Sequence, residues 1–258
     1  MSAIPSSPAR TPLPRRTRID VFLRLLAIQG SWNYESLSGN GVGFCIEPAL
    51  RLLPGGKNTP VFNAALARES TYFNAHPYLA SIAVGALARA ELDGEPPERI
   101  IRFRNALCGP LGSVGDRLIW AGWLPFCSLV ALAVFGLGGG VLVVLATFLG
   151  LYNLGHLWLR AWGLRTGWRL GLRVAPALTH PVFRSGPIYI GRLAAFATGF
   201  GLPLAVGRII GPGRIYTGEV LVAVLAGAAL IVRLHGRVEG WRLALVALAF
   251  FVLLSVVA

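Results

Sequence analysis

Residues 118–159 read LIWAGWLPFCSLVALAVFGLGGGVLVVLATFLGLYNLGHLWL, and no Asp, Glu, Lys or Arg lies between Arg117 and Arg160. A helix needs about 20 apolar residues to cross a bilayer, so this run holds two spans, roughly 118–137 and 140–159. They turn near Gly138–Gly140. Three more candidate spans follow, at 191–208, 216–233 and 241–258. The composition agrees: 55% of the 258 residues are hydrophobic and 14% charged, where a soluble domain carries about 25% charged residues. That excludes a disordered chain and a disulfide scaffold, and argues against a soluble enzyme. The 24 Lys and Arg outnumber 11 Asp and Glu, for a net charge of +13. Basic loops flanking spans account for the charge and the apolar runs together, so nucleic acid is not an expected partner. The expected fold class is all-α: a polytopic integral membrane protein with about five full spans.

The two halves differ. Only Glu219 and Glu239 among the acidic residues lie beyond residue 120. Residues 1–18, rich in Pro, Ser and Arg, read as a disordered cytoplasmic tail, and residues 19–258 as one membrane domain. Arg160, Arg165, Arg169 and Arg173, with Trp162 and Trp168 among them, suggest a cytoplasmic interface helix. The arginine distribution then sets the N-terminus inside and the C-terminus outside, with Arg208 on the outer side against the charge rule. The first half suggests amphipathic helices. Thr59-Pro60 is a cap and first helical residue, and Phe62, Leu66, Glu69 and Phe73 follow on one helical face. Tyr78–Ala88 is too short to cross, and Ala106–Gly115 (ALCGPLGSVG) is broken by glycine and proline. Both are expected to be re-entrant or broken, with backbone that a companion chain or second copy must cover.

Polar residues gather in Gln29-Gly-Ser-Trp-Asn-Tyr-Glu35, Asn74-Ala-His-Pro-Tyr78 and Gly109-Pro-Leu-Gly-Ser-Val-Gly-Asp116. Their amides, carboxylates and imidazole supply the donors and acceptors that sugar hydroxyls need. Trp32, Tyr34 and Tyr78 offer ring faces. Capping or salt bridging would use some of the same groups, with Asp116 beside Arg117 the plainest case. There is no Walker A, G-x-S-x-G, H-E-x-x-H or dinucleotide-binding motif. His76, His156, His180 and His235 are scattered, and Cys45, Cys108 and Cys127 show no metal-ligand or disulfide spacing. No cofactor or metal is expected.

At these residues the chain resembles the IID membrane component of the mannose/fructose/sorbose class of the bacterial sugar phosphotransferase system. The family pattern reads Q-x-S-W-N-Y-E, G-F-x-x-x-x-P-x-L, F-N-x-H-P-Y and G-P-L-x-x-x-G-D before a Trp-containing span. Here it falls on Gln29–Glu35, on Gly43-Phe44 with Pro48 and Leu50, on Phe73–Tyr78, and on Gly109–Asp116 followed by Trp120. Thr166–Gly171 also resembles the family's segment after the hairpin; the likeness is strong to about residue 171 and weak beyond it. The resemblance implies a subunit of a hexose permease in the bacterial cytoplasmic membrane. Its implied partners are a IIC membrane subunit and the cytoplasmic IIA and IIB phosphocarriers. IIB would carry the phosphoryl transfer, so the chain itself would hold no catalytic residue.

On the matching positions, Gln29, Asn33, Glu35, Asn74 and His76 are the expected substrate-binding residues. Trp32, Pro77, Gly109, Pro110, Gly115 and Asp116 are expected to support the site. Two positions depart from the pattern: Glu69 stands where the family often has His, and Arg117 where Ser is usual after the Asp. Two readings compete with transport: a non-transporting structural or regulatory subunit of an incomplete system, and an intramembrane transferase using Asp116 and His76. Gly136–Gly140 and Gly207–Gly211 fit G-x-x-x-G, so an oligomer of IIC–IID units is possible on sequence grounds.

Overall fold

The computed structural model describes residues 13–175 and 181–210, and the candidate spans 216–233 and 241–258 lie outside them. The described residues form helices joined by turns: α1 (Arg15–Leu25), α2 (Gly39–Leu50), α3 (Pro60–Glu69), α4 (Ala80–Leu92), α5 (Pro97–Gly115), a π-helical segment (Asp116–Trp123), α6 (Leu124–Gly136), α7 (Val141–Leu170), a short α8 (Pro181–Arg184) and α9 (Gly186–Ile210). Three helices are long and apolar enough to cross a membrane: Pro97–Gly136, Val141–Arg173 and Gly186–Ile209. They contain the expected spans 118–137 and 140–159 to within a residue, and 191–208 in full.

Local signals set the first half. Residues 15–18, which the sequence reading assigned to the tail, form the first turn of α1. Val21 and Leu25 of α1 are buried, together with Ile28 just beyond it. Thr59 caps α3 as expected, its Oγ1 accepting from the Phe62 N–H at 3.3 Å. The helix stops at Glu69, however, and Phe73 lies in an extended bridge with Leu37. The stop has a cause: the Arg104 guanidinium takes the carbonyl oxygens of Glu69, Thr71 and Tyr72, at 2.7, 3.0 and 3.2 Å. Those carbonyls at the end of α3 therefore need no further helical turn to be satisfied.

The expectations for 78–88 and 106–115 meet different outcomes. Tyr78–Ala88 is buried throughout, within this chain. Most of it belongs to α4, which crosses α7 at close range through small residues. A side chain at Gly163 or Gly167 would strike Ile82, and one at Gly85 would strike the Leu164 carbonyl. Residues 106–115 are not broken: α5 continues through Pro110 and passes without interruption into the π segment. The irregularity implied by the glycines and proline is thus a widened helix, a form that recurs at functional sites. Tyr78–Ala88 is thus covered by this chain's own residues, whereas Ala106, Gly109 and Pro110 of the second segment are exposed.

The spanning helices are fastened at their turn. Gly138 adopts φ +100 in the α6–α7 connection. Arg208 of α9 donates to the Gly139 carbonyl at 2.9 Å and to the Phe135 carbonyl, and lies over the Phe135 ring. Arg208, the residue at odds with the charge rule in the expected topology, is a cap on the C-terminal end of α6. Nor do residues 160–173 form a separate interface helix; they complete α7 and its 3₁₀ turn. Arg160 is buried there, whereas Arg165, Arg169 and Arg173 are exposed.

Candidate functional site

Main-chain hydrogen bonds stitch the polar motifs into one unit. The Phe73 N–H donates to the Ser36 carbonyl at 3.1 Å, and the Ser38 N–H donates to the Phe73 carbonyl at 3.0 Å, joining the first motif's loop to the second. The His76 N–H donates to the Leu111 carbonyl at 3.4 Å, joining the second to the third. Gly115 faces the His76 side chain so closely that any Cβ there would collide with it. Glycines of α2 make the remaining joints, Gly41 against the Ile28 carbonyl and Gly43 against the Ser70 side chain.

His76 is the centre of this unit. It is buried, and its Nδ1 accepts from the Tyr78 N–H at 3.3 Å. Nε2 then carries the proton when the ring is neutral. Burial, reinforced by the positive charge of Arg160, pushes its pKa down to about 4, so the ring is neutral at pH 7. Nε2 has no partner among the described residues. Around it Tyr78, Trp120, Tyr152 and His156 form an aromatic wall. The rings of His76 and Trp120 are 5.0 Å apart, and those of Tyr78 and His156 stack at 4.9 Å. The hydroxyls of Tyr78 and Tyr152 are 2.6 Å apart. The Arg160 guanidinium lies 4.7 Å over the Tyr78 ring and donates to the Leu25 carbonyl at the end of α1, and its Nε has no partner among the described residues. The wall thus presents unsatisfied donors beside flat ring faces, an arrangement suited to binding polar groups.

Of the sequence candidates, His76, Pro77 and Gly115 belong to this buried centre. Gln29, Trp32, Glu35 and Asn74 are exposed, as are Gly109, Pro110 and Asp116. Asn33 is occupied by its own turn: Oδ1 accepts from the N–H groups of Glu35 and Ser36, both at 2.9 Å, while Nδ2 donates to Ser36 Oγ and the Ser31 carbonyl. Arg117 turns back to the Ser113 carbonyl at 3.3 Å. Sequence reasoning missed Tyr152, His156 and Arg160. Their spacing of i, i+4, i+8 within an apolar span was the available signal, because polar groups so placed share one helical face.

A second buried polar group holds the motifs from outside. Arg104 donates from Nε to Glu69 Oε2 at 3.0 Å, and Arg68 binds Glu91 through two bonds of 2.8 and 2.7 Å. Burial pushes the Glu69 carboxyl up to about 8, against the pull of Arg104 and with the help of the Glu91 charge. Glu69, at the family's His position, is therefore a packed hydrogen-bond partner of Arg104. Among the described residues no cluster of three or more His, Cys, Asp and Glu is placed to hold a metal. The Cys45 thiol is buried and pushed up to about 12, so it is inert.

Comparison with known proteins places this region. Residues 12–185 match the model of the PTS system mannose/fructose/sorbose family IID component. The chain is 30% identical over 202 residues to the PTS system mannose-specific EIID component of Escherichia coli K12, covering 73% of this chain and 70% of that protein. It is 28% identical over 212 residues to the fructose permease IID component of Bacillus subtilis, covering 76% and 75%. Its fold is similar to a chain in the cryo-EM structure of the mannose transporter ManYZ with microcin E492, at a TM-score of 0.57 and 23% identity over 94% of this chain and 95% of that one. The matched residues include all the motifs stitched around His76, and the chain belongs to the IID components of the mannose/fructose/sorbose phosphotransferase family.

Proposed function

We propose that this chain is the IID half of a sugar-translocating unit in the bacterial cytoplasmic membrane. It works with a IIC subunit, and the two take up mannose-type hexoses that a IIB domain, charged through IIA, phosphorylates on arrival. The observation that carries the reading is the interlocking of the family's motifs around a buried His76 whose Nε2 has no partner among the described residues. In this reading Gln29, Glu35 and Asn74 meet sugar hydroxyls at the exposed edge, and His76 serves them from behind. Asn33 frames the loop. Five spans complete the topology, with the N-terminus and residues 160–173 inside, the 78–88 segment re-entrant and the C-terminus outside. Transport proceeds by alternating access between packed helix groups.

The test is co-purification from membranes followed by identification of the bound chain and by hexose binding normalised to folded protein. A IIC-type companion and saturable hexose binding are expected. A chain that purifies alone and binds no hexose with its companion restored would overturn the proposal.

A further inference from the structure

A groove of about 430 Å3 lies apart from the His76 centre, lined by Arg24, Phe44, Glu47, Arg51 and Lys57. Its charges do not balance. Glu47 is the one carboxylate in the lining. Arg51 engages it at 2.8 and 2.9 Å, and Arg24 reaches its Oε2 at 2.9 Å. One negative charge in the lining thus faces two guanidiniums and the Lys57 ammonium; with Asp20 of α1 also acting on Arg51, a net positive charge remains in a partly sheltered place. Lys57 stands in a turn whose neighbours Gly55, Gly56 and Asn58 all have positive φ.

The surroundings are apolar. Phe44, under the Arg24 guanidinium at 4.6 Å, is 46% exposed. Leu23 and Leu26 of the α1 region flank Arg24 in sequence, Leu52 follows Arg51, and all three are exposed. Ile19, Leu23 and Leu26 continue as an outward stripe opposite the buried Val21 and Leu25, with exposed Arg15, Arg16 and Arg18 at the start of α1. A basic helix with an exposed apolar stripe is suited to a membrane interface, where basic side chains are drawn to an anionic surface.

We infer that the Arg24–Arg51–Lys57 groove binds the phosphate of an anionic phospholipid, with the acyl chains lying over Phe44 and the exposed leucines. Excess positive charge selects the phosphate, and the exposed apolar rim favours a lipid over a free anion or an acidic protein. The inference goes beyond the permease reading and is tested without sugar or partner, so either can fail alone.

Lys57 is the one lysine of the chain, which makes it a unique reporter. The full chain, in nanodiscs of phosphatidylcholine or of phosphatidylcholine with phosphatidylglycerol, is treated with an amine-acylating reagent, and Lys57 modification is timed by mass spectrometry. Phosphatidylglycerol should slow acylation at least threefold, relative to the N-terminal amine. Arg51→Gln should remove most of that protection, while Arg102→Gln, on α5, should keep it. Equal rates in the two lipids would overturn the inference. So would equal protection by inorganic phosphate in phosphatidylcholine, protection that requires an added acidic protein, or full protection retained in a folded Arg51→Gln. Should that variant fail to fold, the comparison between the two lipids decides.

Discussion

His76 and Gly115 touch so closely that the glycine has no room for a side chain, and this contact locks the second polar motif onto the third. Both residues are buried, and the His76 main chain is tied to the same helix through Leu111. Gly115→Ala therefore overpacks the joint and should cost about 1–3 kcal/mol. Gly109 and Gly112, on the same helix, have open space where a Cβ would go. Alanine there should be neutral or should stabilise the chain by up to about 1 kcal/mol. Melting of the three variants in detergent checks the contrast; equal effects would remove the His76–Gly115 lock. If a companion subunit covers the open side, Gly109→Ala should reduce its co-purification without lowering melting.

Arg104 shows why a buried arginine and not a lysine holds the end of α3. Its planar guanidinium serves Glu69 Oε2, the Thr71 hydroxyl and three carbonyl oxygens at once. An ammonium has three donors and cannot span that set. Arg104→Ala leaves the Glu69 carboxyl and the carbonyls at the end of α3 without their donor, at about 1–3 kcal/mol for each acceptor that stays buried and unpaired. Arg104→Lys should recover only part of this. A lysine variant that melts with the wild type would show that charge alone suffices.

Burial raises the Glu69 carboxyl to about 8, so between its unfolded value and that pH the folded state holds a proton the unfolded state has released. Stability therefore falls as pH rises through this window. Melting temperature should decline from about pH 5 to about pH 8, and Glu69→Gln, which mimics the protonated form, should flatten the decline. His76 acts in the opposite sense. Its pKa is held down at about 4, so stability is lost as pH falls below its ordinary value near 6.5. A glutamine variant whose melting profile keeps the alkaline slope would remove Glu69 as its source.

The spans within 97–210 were legible because apolar length is a direct physical requirement of the bilayer. The Thr59 cap was legible for a similar reason, being a local hydrogen bond between neighbours in sequence. The stop at Glu69 was not, since it depends on Arg104, distant in sequence. The 106–115 segment shows the opposite error: glycine and proline predicted a break, but packing against His76 and continuation into a π helix kept the chain helical. Arg160 looked like a surface charge beside three other arginines, and only the fold reveals Tyr78 beneath it and the α1 terminus in front of it. Side chains occupied by their own turn, such as Asn33, look the same in sequence as side chains free to meet a ligand.

That last distinction gives the sharpest test of the site. Asn33 holds two main-chain N–H groups through Oδ1, so Asn33→Ala should lower stability by about 1–2 kcal/mol through lost hydrogen bonds. Sugar affinity per folded molecule should then stay unchanged, because no polar atom of Asn33 was available to the ligand. Asn74 is exposed, so Asn74→Ala should leave melting alone and weaken hexose binding by about 1–3 kcal/mol if its amide meets a hydroxyl. Glu35 is exposed as well, and Glu35→Gln exchanges a charge-assisted bond for a neutral one, so it should weaken affinity with little change in melting. His76→Gln should do both, since it loosens the Gly115 joint and alters the donor behind the site. Binding by the co-purified complex, normalised to folded protein and set beside melting of each variant, separates the cases. If Asn74→Ala and Glu35→Gln both bind hexose with wild-type affinity, the exposed edge carries no sugar contact and the stitched motifs serve architecture alone.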